Sequence, residues 1–197
     1  MNIGPIVVLG LAAGLGLAVI GMYNGLIAGR NRFTNAFAQI DVQLQRRYDL
    51  IPNLLESVKG YMAHERETLQ AVMTARNQAQ SASRSAAAQP ADGAAIGALG
   101  AAEGALGSAL GRFYAVAEAY PDLKASTTVA ELMEELTSAE NKVAFARQHF
   151  NDAVTDYNNR REQFPSNIIA GMFNFQAGQL LVLDNPAARE APRMSFH

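Results

Sequence analysis

The sequence predicts an all-α protein, with an N-terminal transmembrane helix continuing into an elongated antiparallel bundle of long helices. Three features carry that expectation. Residues 1–29 hold no charged side chain, and residues 3–28 read IGPIVVLGLAAGLGLAVIGMYNGLIA. That run exceeds the roughly 20 helical residues needed to cross a hydrocarbon core of about 30 Å. Beyond it, apolar side chains recur in steps of three and four, the period of an amphipathic helix rather than the alternation of a strand. Pro52, Pro121 and Pro165 mark a kink and two helix ends between these stretches.

A chain of 197 residues suits one domain plus an anchor. Part of its 49% apolar content lies in the anchor and part is alanine, so long helices joined through narrow seams are favoured over a deep core. The net charge of -2 gives no reason to expect a nucleic-acid partner. Cysteine is absent, which removes disulfides, thiolate metal sites and cysteine nucleophiles together.

A cleavable signal peptide would carry a basic n-region and a shorter apolar run. MNIGP has no Lys or Arg, so the span is expected to be retained. Arg30, Arg32, Arg46 and Arg47 follow it. The positive-inside rule then places the N-terminus outside and the bundle in the cytoplasm, with the opposite orientation as the alternative. Within the span glycine recurs at Gly10, Gly14 and Gly16, then at Gly21, Gly25 and Gly29. The last three share a helix face that would admit a second helix backbone, which makes them candidate contacts for self-association. Against that stands the general frequency of glycine in membrane helices.

After the span, Phe33, Phe37, Ile40, Leu44, Tyr48, Ile51, Leu55, Val58 and Met62 form one helical stripe. Pro52 removes a backbone hydrogen bond, yet the stripe keeps its phase across it, so a kink within one helix is expected rather than two helices. This helix is expected to run on through Leu69, Val72 and Met73 towards Ala79. SASRSAAAQPADG, residues 81–93, reads as a flexible connection or a frayed end.

Residues 94–120 carry a glycine ladder, Gly97, Gly100, Gly104, Gly107 and Gly111, with Leu99, Leu106 and Leu110 supplying bulk. Each glycine costs a helix about 1 kcal/mol relative to alanine. The regular spacing nevertheless favours a helix in tight contact with a neighbour, with Gly97, Gly104 and Gly111 as candidate packing or oligomer contacts. Pro121 stops it.

Thr128 and Glu131 fit a capping box. The stripe after them, Val129, Leu132, Leu136, Ala139, Val143, Ala146, Phe150, Ala153 and Tyr157, is a heptad-like, coiled-coil seam. Pro165 closes that helix, and Ser166 is placed to cap the short apolar helix NIIAGMFNF. The expected organisation is therefore an anchor over 1–29, a bundle over 30–175 and an extended or disordered tail over 176–197. The bundle should contain three long helices, one of them kinked, and a short terminal helix.

The run NRFTNAFAQIDVQLQRRYDLIPNLLESVKGYMAHERETL at 31–70 resembles the LemA family of bacterial membrane proteins. The resemblance extends through EAYPDLKAS (118–126), ENKVAFARQHFNDAVTDYN (140–158) and FPSNIIAGMF (164–173). It implies a single N-terminal membrane helix with an antiparallel helical bundle at the bacterial inner membrane. It brings no established reaction or catalytic set. The glycine ladder and the tail depart most from the family pattern.

No chemistry-bearing motif stands out. His64 and His149 lack the Glu-x-x-His spacing of a bundle metal site, and His64-Glu65 lacks the second histidine of a zinc protease. The glycine ladder has neither the lysine nor the strand of a phosphate loop, and no Gly-x-Ser-x-Gly elbow occurs. Two polar groups invite a functional reading: Arg46, Arg47, Asp49, Asn53 and Glu56 around Pro52, and Asn141, Arg147, Asn151 and Asn158 further on. They form either a partner patch or, as the favoured reading, pairs across the bundle that satisfy backbone groups freed by Pro52. The expected function is a non-enzymatic, membrane-anchored scaffold that self-associates and recruits proteins. Its expected partners are the lipid bilayer, further copies of the chain and other membrane or envelope proteins, with no cofactor, metal or nucleic acid. The alternative is a binding or sensory module signalling through the kinked first helix, with Pro52 as a hinge.

Overall fold

A helix of 55 residues, α1 (Gly4–Val58), runs about 82 Å at 1.5 Å per residue and carries the apolar N-terminal segment into the bundle without a break. The computed structural model describes residues 3–182. Five further helices follow: α2 (Arg66–Ala88), α3 (Gly93–Ala117), α4 (Pro121–Ala125), α5 (Thr127–Glu162) and α6 (Ser166–Met172), with no strand among the described residues. The all-α class is as the sequence predicts.

Residues 3–18 of α1 are all exposed, while every member of the stripe from Phe33 to Met62 is buried. α1 packs mainly against α5, and the pairing is antiparallel: Phe33 meets both Phe150 and Tyr157, while Gly29 meets Tyr157 and Gly25 meets Arg160. α2 packs mainly on α3 and joins this hairpin to α1, where Ser83 reaches Asp41 and Arg76 reaches Tyr48. The stripe of α5 faces the same core; Leu132 and Ala146 are partly buried and the other seven members fully so.

The long helices number four rather than three. The first helix stops at Val58, and residues 59–65 form a turn held by Tyr61 and Met62 N–H bonds to the Val58 carbonyl at 3.0 and 2.9 Å. Gly60 lies in this turn, and Met62 is folded back into the core, which explains why the stripe gives no sign of the reversal. The helix that the sequence ends near Ala79 instead runs through Ala88. Its small residues are a packing face, with Ala75, Ala79, Ser83 and Ala86 buried, and alanine is the best of helix formers. The glycine-rich segment is a helix, as its spacing predicts, started by the Asp92 side chain accepting a hydrogen bond from Ala94 N–H at 2.9 Å.

Two caps differ from expectation. Ser126 is the N-cap residue of α5 and makes no side-chain cap bond, so Thr128 lies inside the helix rather than at a capping box. Pro165 is the N-cap residue of α6, with Ser166 its first helical residue. Residues 176–182 form neither helix nor strand and are tied to α5 at Gly178 and Leu181, and the rest of the expected tail, 183–197, lies outside the described residues.

Candidate functional site

Pro52 has no N–H, so the carbonyl of Tyr48, four residues earlier, loses its helical partner. Arg76 of α2 replaces it, donating Nε–H to Tyr48 O at 2.9 Å, while its Nη2 lies 4.0 Å from Asp49. α1 therefore passes Pro52 as one helix. An arginine does satisfy the freed backbone, but it comes from α2 and not from the Arg46–Arg47 pair.

Arg47 points the other way. It is buried, and its Nη2 lies 2.8 Å from Oε2 of Glu103, a side chain of α3 that is 1% exposed. The contact is one of charge, since Arg47 Nε and Nη2 and Glu103 Oε2 have no aligned hydrogen bond. Glu103 Oε1 accepts a short hydrogen bond from the Tyr48 hydroxyl. Glu140 of α5 and Tyr114 of α3 complete the surroundings. Burial, followed by the Glu103 charge and its hydrogen bond, pushes the Tyr48 hydroxyl far above the ordinary phenol range. Burial and the Glu140 charge push Tyr114 up to about 12. Burial also raises Glu140, with Arg47 opposing and Glu103 reinforcing the shift.

One arginine, two carboxylates and two phenols thus join α1, α3 and α5 at the centre of the bundle. Arg47, Tyr48 and Glu103 are all buried. Beside this group, at the end of the bundle far from the apolar segment, a pocket of about 250 Å³ is lined by Tyr114, Ala117, Leu123, Val129 and Met133. Among the described residues no group of three or more His, Asp or Glu side chains is arranged to hold a metal ion.

The remaining candidates separate. Arg46, Asp49, Asn53 and Glu56 are exposed; Glu56 pairs with Lys59 at 3.1 Å, and the Asn53 carbonyl accepts from Ser57 Oγ at 2.9 Å. A Cβ at Gly25 would lie 3.2 Å from Arg160 Nη1, and one at Gly29 would lie 3.2 Å from Tyr157 Cδ2, so α5 of the same chain covers both. Gly21 has nothing within 4 Å, as do Gly10 and Gly14. In the ladder, Gly100 and Gly104 are buried, while Gly97, Gly107 and Gly111 are exposed. A Cβ at Gly100 would collide with the Val182 carbonyl.

Asn151 and Asn158 have a role that their sequence position only hinted at. Asn158 donates to Gly178 O at 2.9 Å and accepts from Gly178 N–H at 2.8 Å. Asn151 does the same for Leu181, at 3.3 and 2.9 Å. Seven helical residues rise about 10.5 Å, and three extended residues span about 10 Å, so two amides on one helix face reach backbone groups three residues apart in the segment after α6. Glu103 was also missed, although it is the only charged residue between Gly93 and Gly111, and a lone carboxylate in an apolar helix signals a buried partner.

A long exposed apolar helix rooted in an all-α bundle, with one buried ion pair at its centre, defines a membrane-associated helical-bundle protein. The LemA family profile matches residues 36–196, and the chain belongs to the LemA family. It is 27% identical over 174 residues to magnetosome protein MamQ of Magnetospirillum gryphiswaldense, covering 81% of this chain and 61% of that protein. It is 31% identical over 70 residues to magnetosome protein MamQ 2 of Paramagnetospirillum magneticum, covering 36% of this chain and 26% of that one. It is 25% identical over 171 residues to protein LemA of Metamycoplasma hominis, covering 84% of this chain and 74% of that one. The chain thus spans from about a quarter to about three fifths of the length of the MamQ proteins it matches.

Proposed function

We propose that this protein is a non-enzymatic, membrane-anchored scaffold that self-associates through its span and presents its bundle to other proteins of the cell membrane. The observation that carries the reading is the unbroken course of α1, whose exposed apolar part and buried stripe belong to one helix. Position in the membrane and position of the bundle are then one mechanical variable. The Arg47–Glu103 lock holds the two helical hairpins in register, a role for which buried ion pairs suit better than they suit raw stability. The bundle end beside the span also gathers Arg160 at Gly25, in addition to Arg30 and Arg32. This clustering supports a cytoplasmic bundle by the positive-inside rule.

Self-association is assigned to the open face of Gly10, Gly14 and Gly21, since α5 already covers Gly25 and Gly29. The chain contains no cysteine, so single-cysteine variants report cleanly. Oxidative crosslinking in native membranes should dimerise Gly14→Cys and Gly21→Cys and leave Ala12→Cys, on the opposite face, monomeric. Absence of crosslinks at all three positions would remove self-association through the span. A C-terminal reporter active only outside the cytoplasm would reverse the orientation.

A further inference from the structure

The bundle end beside the span carries an apolar face that none of the described residues covers. Phe164 is 80% exposed, Met172 73%, and Ile168 and Phe173 52% each. Ile168 and Met172 are four residues apart on one face of α6, and Phe164 is exposed in the turn that leads into it. The height of that face is fixed by α1. The rings of Phe173 and Tyr23 lie 4.9 Å apart, Phe175 lies 5.6 Å from Tyr23, and Val19 and Met22 are partly covered.

About 20 helical residues cross a hydrocarbon core of about 30 Å. Counted from Ile3, the first residue of the exposed run, that length ends near Met22, beside α6. One turn further on, the chemistry becomes cationic. Arg160 donates to Gly25 O at 3.4 Å, Arg161 Nε donates to Phe175 O at 2.8 Å, and the Arg30 guanidinium lies 5.6 Å from the Phe175 ring centre. Glu162 is the acidic neighbour, 3.4 Å from Arg161. Aromatic and aliphatic side chains at the edge of the hydrocarbon, with arginines just outside it, match the layering of a lipid leaflet.

We propose that α6 with Phe164 and Phe173 is a second membrane-contacting element. Its apolar face lies in the interfacial layer beside α1, and Arg30, Arg160 and Arg161 sit at the level of the lipid phosphates. The inference rests on the reading that α1 spans the bilayer. The bundle is thereby held against the membrane at two points, and its rotation about α1 is restricted.

Tryptophan is absent from the chain, so single-tryptophan variants of the full-length protein measure depth directly. Leu11→Trp, Phe164→Trp and Met172→Trp would each be reconstituted into phosphatidylcholine–phosphatidylglycerol vesicles containing lipids brominated at different acyl positions. Leu11→Trp should be quenched most by bromines deep in the chain. Phe164→Trp and Met172→Trp should be quenched most by bromines nearest the headgroup and should be protected from aqueous iodide. Quenching at Leu11→Trp alone would overturn the inference and leave the span intact, with iodide access indicating water and iodide protection indicating a protein partner on the face. Loss of bromine quenching at all three positions would overturn the span as well.

Discussion

Arg47→Met leaves the Glu103 carboxylate in the centre of the bundle with the Tyr48 hydroxyl as its remaining close polar contact. Removing one partner of a buried ion pair costs about 3–5 kcal/mol, because the other charge stays buried and uncompensated. For a chain of this size 1 kcal/mol shifts Tm by about 2–4 °C, so the expected fall is about 6–20 °C. Replacing Arg47, Glu103 and Tyr48 together behaves differently. In the triple variant Arg47→Met, Glu103→Leu, Tyr48→Phe no charge or hydroxyl of the trio remains, and stability should return to within about 1 kcal/mol of the parent or exceed it. Thermal unfolding of the full-length protein in detergent micelles, followed by circular dichroism, compares the two. The reasoning fails if Arg47→Met alone costs less than about 1 kcal/mol, or if the triple variant falls as far as the single one.

The other predictions concern neighbouring elements. Arg76→Met should cost about 1–3 kcal/mol by stranding the Tyr48 carbonyl, and adding Pro52→Ala, which supplies the missing N–H, should recover most of the loss in the same melts. Gly29→Leu should destabilise by about 1–3 kcal/mol through overpacking against Tyr157, whereas Gly21→Leu, with open space around it, should leave the monomer's Tm unchanged. The fold raises Glu140, so its contribution is fully present below about pH 4.3, the ordinary Glu value, and is lost as pH rises through the folded value. Glu140→Gln should therefore flatten the fall of Tm between acid and neutral pH, and an unchanged profile would reject the assignment. Asn151→Leu and Asn158→Leu should each speed amide exchange at Leu181 and Gly178 respectively, without altering exchange in α2.

Where large apolar side chains recur along one helix, their burial was legible in the sequence, whereas the burial of the small residues Ser83 and Ala86 on α2 was not. The stripes from Phe33 to Met62 and from Val129 to Tyr157 enter the core because one-dimensional period maps directly onto a helix face. The reversal after Val58 left no trace, since Met62 keeps the apolar phase while the backbone turns beneath it. Polar side chains were legible only in kind. Arg46, Arg47, Asp49, Asn53 and Glu56 are neighbours in sequence, but helical rotation sends Arg47 to the core and the others to solvent. Arg47's carboxylate partner lies on α3, 56 residues away. Pro52 made the need for a donor evident, and only tertiary packing could assign it to Arg76. The three glycines at Gly21, Gly25 and Gly29 look alike in sequence, yet α5 reaches only the last two.

The continuity of α1 also makes it a lever. If α1 spans the bilayer as proposed, the helix from Tyr23 to Val58 extends about 54 Å beyond the bilayer edge at 1.5 Å per residue. Membrane helices tilt by about 20° on average and adjust that tilt to the thickness of the hydrocarbon they cross. A change of about 20° at the base swings the far end of the rod sideways by about 18 Å, roughly the width of two packed helices. In that arrangement lipid thickness, a property of the surrounding leaflet, would be converted into the lateral position of a surface at the far end of the rod.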